Sequence, residues 1–273
     1  MRIKDALQWG RSRLLEACER PQYEAELLLT HHLNKDRTYL LIHEEDEVGN
    51  IEAFKTLVQR RAKHEPYEYI VGEVSFYDTY LYTAPYVLIA RPETEILVDK
   101  ASEVIEREGI TELIEIGIGS GAISVILARK FPDLRIIATD ISEDALALAQ
   151  RNIDRHGLQE RIELKRTSIL DGIGFDAQMV VSNPPYIAED FLLEKNVGEY
   201  EPHTALFGGE KGDELLKEII MDVKKRGIKW LACEMGYDQR EPILEFVNEI
   251  GVKSIDFYKD LAGFDRGFVL AFP

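Results

Sequence analysis

A chain of 273 residues exceeds one average domain, so two folding units are the natural expectation. With 45% hydrophobic and 30% charged residues it has the apolar material for a substantial core, which excludes a disordered chain. The net charge is −17, and residues 1–75 hold only 11 of the 33 Lys+Arg and 14 of the 50 Asp+Glu, so the remaining chain carries −14 and repels phosphate backbones.

A basic or neutral protein partner therefore fits better than nucleic acid, for which no direct contact is expected. Met1-Arg2-Ile3-Lys4-Asp5 leads into no apolar signal region, and no later stretch reaches the ~18 to 20 uncharged apolar residues of a membrane helix. No membrane association is expected, and the cytosol is the expected compartment. Two short amphipathic helices follow, with Leu7, Leu14, Leu15 and Cys18 on the first and Leu28, Leu29 and Leu33 on the second, which starts near Pro21. The acidic run 44–47 reads as a solvated loop or helix start. A third helix carries Phe54, Leu57, Val58 and Arg61 and stops near Pro66. Cys18 and Cys233 have neither metal-type nor redox-type spacing and read as small apolar residues.

Residues 74–90 change character: Val74, Phe76, Tyr80, Tyr82, Val87 and Ile89 are β-formers interrupted by Pro85, and a connecting β-hairpin is expected there. From Thr111 strand and helix alternate, with strands near 113–117, 135–139, 161–165, 178–182 and 228–234, which implies a parallel sheet covered on both faces. Two last strands at 252–257 and 267–272 are joined by a loop too short for a crossover helix, so the final strand is expected to be antiparallel.

After the strand Leu113-Ile114-Glu115-Ile116 comes Gly117-Ile118-Gly119-Ser120-Gly121, then a helical run. Glycines at such a turn permit positive φ and close approach of a ligand to the backbone, while the helix N-terminus offers free N–H donors. The G-x-G-x-G spacing departs from the dinucleotide fingerprint, which weakens a dehydrogenase reading. Asp140 follows the next β-rich run, at the separation where a carboxylate grips ribose hydroxyls. Alone, the glycines could be a tight turn and Asp140 a helix cap; in this order the two favour a nucleoside ligand.

Asn183-Pro184-Pro185-Tyr186 follows the apolar strand Met179-Val180-Val181-Ser182. Two prolines stiffen the bend and remove two donors, so the local carbonyls can act as acceptors. The plain reading is a rigid turn with an Asn cap. The chemical reading uses every member: an amide or aromatic amine is a poor nucleophile because its lone pair is delocalised. The Asn183 side-chain oxygen and the Pro184 carbonyl would accept its two N–H bonds and turn the lone pair toward an electrophile, with Tyr186 stacked on the planar group. No nucleophile triad or metal set is apparent.

These residues resemble the bacterial release factor glutamine methyltransferases, and the likeness spans nearly the whole chain. It also includes Gly72-Glu73-Val74-Ser75-Phe76-Tyr77, Arg91-Pro92-Glu93-Thr94-Glu95, Tyr200-Glu201-Pro202, Ala205-Leu206-Phe207-Gly208-Gly209, Glu234-Met235-Gly236 and Asp260-Leu261-Ala262-Gly263. The resemblance implies an α/β fold: a seven-stranded, Rossmann-like class I methyltransferase domain (91–273), a small N-terminal helical bundle that helps hold the substrate (1–73) and a linking hairpin (74–90). It implies a monomer using S-adenosylmethionine to methylate the glutamine of a Gly-Gly-Gln tripeptide in peptide chain release factors. By that resemblance Gly117, Ile118, Gly119, Ser120, Gly121, Asp140, Ser168 and Asn183 bind the cofactor, and Asn183, Pro184, Pro185 and Tyr186 hold the glutamine. Arg91 and Glu201 shape the pocket walls or form a surface ion pair.

Ala90, Glu115, Ile118 and Ser168 depart from the family pattern. Glu115 keeps the charge of the more frequent aspartate, whereas Ser168 either weakens adenine contacts or marks a one-residue shift. The alternatives to this reading are an N6-adenine nucleic-acid methyltransferase, which shares the Asn-Pro-Pro-Tyr chemistry, and a non-catalytic adapter that binds cofactor and release factor.

Overall fold

In the computed structural model, which describes residues 1–273, helix α1 (Ile3–Leu14) turns Ile3, Ala6, Gly10 and Leu14 inward at the spacing of a buried stripe. Helix α2 (Pro21–Leu33) begins on Pro21, whose fixed φ suits a first turn. Gly10 lets α1 approach α2 closely, since a Cβ there would lie 3.1 Å from that of Ala25. Two helices that the apolar spacing does not announce follow from local chemistry. The Asp36 side chain accepts from the Tyr39 amide at 2.7 Å and starts α3 (Arg37–Ile42). After α4 (Ile51–Arg61), Pro66 precedes the single-turn α5 (Tyr67–Val71). Together they bury Leu28, Leu29, Leu40, Phe54, Val58 and Ile70. Because α1 ends at Leu14, Leu15 is exposed rather than part of the stripe, and Cys18 lies beyond the helix, half buried, with its thiol pushed up to about 11 by burial. Arg61 is held by Glu24 at 2.9 Å.

Strands β1 (Glu73–Phe76) and β2 (Thr79–Tyr82) pair around Tyr77 and Asp78, with Tyr77 at φ 54°. The expected hairpin over 74–90 is thus confined to its first half. Pro85 has no N–H to give to a ladder, and the Val87 amide is spent on the Ala84 carbonyl at 3.0 Å. Val87 and Ile89 are nonetheless buried, which is why they read as strand.

Alternation then takes over: α6 (Thr94–Glu108), β3 (Glu112–Ile116), α7 (Ala122–Lys130), β4 (Arg135–Asp140), α8 (Glu143–Arg155), β5 (Ile162–Arg166) and β6 (Met179–Ser182). Beyond lie β7 (Ile187–Ala188), the turn α9 (Lys195–Gly198), β8 (Phe207–Gly209), α10 (Glu214–Lys225), β9 (Trp230–Glu234), α11 (Arg240–Ile250), β10 (Ser254–Lys259) and β11 (Asp265–Ala271). The seven-stranded sheet has the order β10-β11-β9-β6-β3-β4-β5, and β11 alone opposes the rest, as the short final loop requires. Leu113, Ile114, Val180, Leu231 and Phe268 build its core with Leu216, Ile219 and Ile243 from the helices.

The chain forms two compact units, Met1–Glu73 with Leu193–Tyr200, and Val74–Leu192 with Glu201–Pro273. No helix is long and apolar enough to cross a membrane. In the sheet the chain runs outward from β3 through β4 to β5, then returns to place β6 on the other flank of β3. That reversal makes the carboxyl ends of β3 and β6 a topological switch point, the place where open α/β sheets bind ligands.

Candidate active site

Pairing of β3 with β6 sets Ile116 against Ser182, and the Ser182 hydroxyl donates to the Ile116 carbonyl at 2.8 Å. The next residues, Gly117 and Asn183, therefore leave neighbouring strands about 4.8 Å apart. One register brings together the glycine loop and the proline-stiffened bend that the sequence singles out.

Gly117, Gly119 and Gly121 all have positive φ, at 73°, 54° and 84°. The Gly117 and Ile118 amides both reach the Thr139 carbonyl at 2.9 Å, and the Gly119 amide reaches Asp140 Oδ2 at 3.0 Å. Ile118 and Ser120 are buried, the latter with its carbonyl accepting from Asn152 Nδ2 at 2.8 Å. A Cβ on Gly117 would meet nothing within 4 Å, so the loop faces open space at this residue, whereas one on Gly121 would lie 3.6 Å from Ala149. Asp140 Oδ1 accepts from the Ser142 amide at 2.9 Å. Gly119, Ser142 and Ile141 all give backbone amides to the Asp140 carboxylate, which still has acceptor capacity for a ribose hydroxyl. Burial raises the Asp140 pKa, against the pull of these backbone amides. Ile141, next along, presents an exposed apolar side chain at the same edge. Ser168 is exposed and starts the turn in which its carbonyl accepts from the Asp171 amide at 3.0 Å; Thr167, one residue earlier, is the one tied to the Asp140 carbonyl, at 3.2 Å.

Glu115 corrects one reading. Its carboxyl lies fully under the loop, accepting from the Ser124 amide at 3.0 Å and from the Ser124 hydroxyl, so it caps α7 from an adjacent strand. Burial pushes its pKa up to about 8, so at neutrality it is mostly protonated and does not keep the charge of an aspartate. A carboxyl raised from 4.5 to about 8 in the folded state binds its proton more tightly there than in the unfolded chain, so its contribution to stability is complete below pH 4.5 and is lost as pH rises to 8. Glu115→Gln removes this slope. In thermal melts, the difference in Tm between variant and wild type should rise in the variant's favour from pH 4.5 to 8 and then level off; a difference independent of pH would refute the burial argument.

At the bend, Pro184 is buried and Asn183 half buried. Asn183 Nδ2 donates to Thr94 Oγ1 at 3.0 Å, while Oδ1 accepts from no protein group and remains solvent-accessible. The Thr94 hydroxyl donates to Glu234 Oε2 at 2.8 Å, and the Tyr186 hydroxyl donates to Glu234 Oε1 at 2.9 Å. Tyr186 is packed against the sheet core, and its phenol pKa is pushed up by burial and then by the Glu234 charge. Gln239 Nε2 donates to the Tyr186 carbonyl at 2.8 Å. The bend is also clasped from outside: a Cβ on Gly208 would overlap the Pro185 carbonyl, and one on Gly212 the Tyr186 carbonyl.

Arg91 pairs with Glu201, whose other oxygen accepts from the Ile89 amide at 3.3 Å. Glu201 is buried, so this is not the surface pair that one reading of the sequence allowed. Neither Thr94 nor Glu234 is singled out by sequence, although both lie in segments that carry the family resemblance. Their signal was the placement of polar residues where helix α6 starts and where β9 ends beside β6.

Two stretches match family models: residues 5–72 match the PrmC N-terminal domain and residues 93–199 the methyltransferase small domain. The chain is 38% identical over 247 residues to the release factor glutamine methyltransferase of Koribacter versatilis, covering 86% of this chain and 87% of that protein. It is 35% identical over 274 residues to the protein of the same name from Geobacter sulfurreducens, covering 97% and 94%. Among solved structures, the hMettl16 catalytic domain in complex with MAT2A 3'UTR hairpin 6 superposes with a TM-score of 0.59 at 17% identity, over 71% of this chain and 75% of that one. At that identity the likeness is one of fold.

Proposed function

Because the chain belongs to the release factor glutamine methyltransferase family, we propose that it transfers a methyl group from S-adenosylmethionine to the side-chain nitrogen (N5) of the glutamine in the Gly-Gly-Gln tripeptide of peptide chain release factors. The observation that carries the reading is the free Oδ1 of Asn183, fixed beside the glycine loop by a hydrogen bond that occupies the other end of its amide.

Gly117, Ile118, Gly119, Ser120 and Gly121 hold the cofactor through their backbone, and Asp140 takes the ribose hydroxyls with the acceptor capacity that its backbone donors leave. Ser168 and Ile141 border the nucleoside. When bound there, S-adenosylmethionine supplies a methyl carbon carried on a positively charged sulfur. Asn183 Oδ1 and the Pro184 carbonyl accept the two N–H bonds of the glutamine amide and hold its nitrogen with the lone pair directed at that carbon. With the nitrogen held in this way, attack on that methyl carbon would displace the sulfur as a neutral thioether, and the extra proton on nitrogen would leave to solvent, so Asn183 and Pro184 need only orient the amide and not deprotonate it. Tyr186, anchored through its hydroxyl, offers its ring as a wall for the amide plane. Arg91 and Glu201 brace the stretch that forms another wall.

Residues 1–73 serve as the substrate-recognition domain, 74–90 as the linker and 91–273 as the catalytic domain, in a cytoplasmic monomer that needs no nucleic acid. The acidity of the chain after residue 75 supports a protein rather than a polynucleotide as acceptor. Transfer of labelled methyl to purified release factor, DNA and RNA tests the reading. Label on release factor alone is expected, and label on nucleic acid would favour the adenine N6 alternative. Asp140→Ala should weaken cofactor binding in calorimetry by at least about tenfold, since charged hydrogen bonds to ribose contribute about 1.5–3 kcal/mol; unchanged affinity would remove Asp140 from the ribose.

A further inference from the structure

Asn183 can present either its oxygen or its NH2 group to a substrate, because turning the amide over exchanges the two at almost no steric cost. Only the oxygen accepts from an amide N–H; the NH2 group would face another donor. Something must decide which end points outward, and the answer lies in two residues that need not touch substrate.

We propose that Glu234, acting through Thr94, is a positioning device that sets the polarity of the Asn183 side chain. An ionised carboxylate can only accept hydrogen bonds. Glu234 takes the Thr94 hydroxyl proton on Oε2 at 2.8 Å and the Tyr186 hydroxyl proton on Oε1 at 2.9 Å. With its single proton committed, Thr94 Oγ1 has only lone pairs left for Asn183, at 3.0 Å. Asn183 must therefore turn its NH2 group toward Thr94 and its oxygen outward. The same carboxylate fixes both ends of the bend, Asn183 through one intermediary and Tyr186 directly. Thr94 and Glu234 are both buried, so water does not compete for these bonds.

The relay has this direction while Glu234 is ionised, the state that its two hydroxyl donors and Arg266 favour and that burial opposes. Burial raises its pKa, opposed by the Thr94 and Tyr186 hydrogen bonds and by Arg266, with Glu93 acting in the raising direction. Arg266, itself held by Asp260 at 2.8 Å, faces the group from β11. The remaining titratable neighbours, Tyr258 on β10 and Cys233 on β9, have their pKa values raised and stay neutral. A protonated Glu234 would donate to one of its hydroxyl partners, free the Thr94 proton to point at Asn183, and let the amide turn over.

The inference rests on the proposed methyl transfer to a release factor, so wild-type transfer is measured first, and its absence would defeat that reading rather than this one. Given activity, Thr94→Val should lower kcat by about 10- to 100-fold with little change in cofactor affinity or in KM for release factor, and Thr94→Ser, which keeps the hydroxyl, should restore most of the rate. Wild-type kcat at saturating cofactor should fall on the acid side as Glu234 takes up its proton, and Glu234→Gln should lower kcat similarly and remove that pH dependence. The relay is refuted by a Thr94→Val enzyme with wild-type kcat, by a Thr94→Ser enzyme as slow as Thr94→Val, or by an acid limb that persists unchanged in Glu234→Gln. A parallel loss of Tm and of cofactor affinity in Thr94→Val that accounts for the whole rate loss would equally refute it, in favour of a purely structural role.

Discussion

Asn183→Ala should lower kcat for methyl transfer by about 100- to 1000-fold, the scale on which a single preorganised polar group at a reacting centre is felt. It should leave cofactor affinity nearly unchanged. The two halves follow from the geometry. Asn183 Oδ1 is the part of the side chain with no protein partner, and the alanine variant removes it, while the glycine loop and Asp140 keep their own hydrogen bonds. Transfer kinetics at saturating release factor read the first half, and calorimetry with S-adenosylmethionine reads the second. A variant that binds cofactor normally and retains wild-type kcat would take Asn183 out of the chemistry. A variant that loses cofactor affinity in proportion to its rate would move it to the nucleoside.

Gly212→Ala is the second large effect, and here the cost is in stability as well as rate. Gly212 has φ of 82°, and a Cβ there would overlap the Tyr186 carbonyl and lie 2.9 Å from the Ala188 amide nitrogen. Backbone strain and forced displacement together should cost about 2–5 kcal/mol. Gly109 provides the control: it has φ of 66° but nothing within 4 Å of its absent Cβ, so Gly109→Ala should cost only the about 1–2 kcal/mol of left-handed backbone. Urea unfolding of both variants separates clash from conformation. The displaced Tyr186 carbonyl should also cost Gly212→Ala transfer activity even where the protein remains folded, whereas Gly109→Ala should stay active. Equal destabilisation of the two variants would mean that the 208–212 segment does not clasp the bend.

What could be seen in the sequence was the chemistry contained within a few consecutive residues. The glycine loop announces its positive φ values, Pro184-Pro185 announces a stiff bend, and alternation of apolar runs announces a parallel sheet with an antiparallel last strand. The Thr94–Asn183 and Thr94–Glu234 bonds join residues 89 and 140 positions apart, and only the side-by-side placement of β6 and β9 brings them into reach. Glu115 reads as a charge in the sequence because nothing local says that it is fully buried at the start of α7. Val87 and Ile89 look like strand residues because burial and strand formation favour the same side chains, and only the backbone hydrogen bonds tell them apart. Helices α3 and α5, at six and five residues, are too short for apolar spacing to register.

On the proposed mechanism, the bend after β6 turns an inert amide nitrogen into a methyl acceptor. Incubating release factor with the wild-type enzyme and S-adenosylmethionine, then locating the modification by fragment mass spectrometry, tests it most directly. One methyl group on the side-chain nitrogen of the Gly-Gly-Gln glutamine, absent with Asn183→Ala, is the predicted result. An unmodified glutamine, or a methyl group at any other atom, would contradict it.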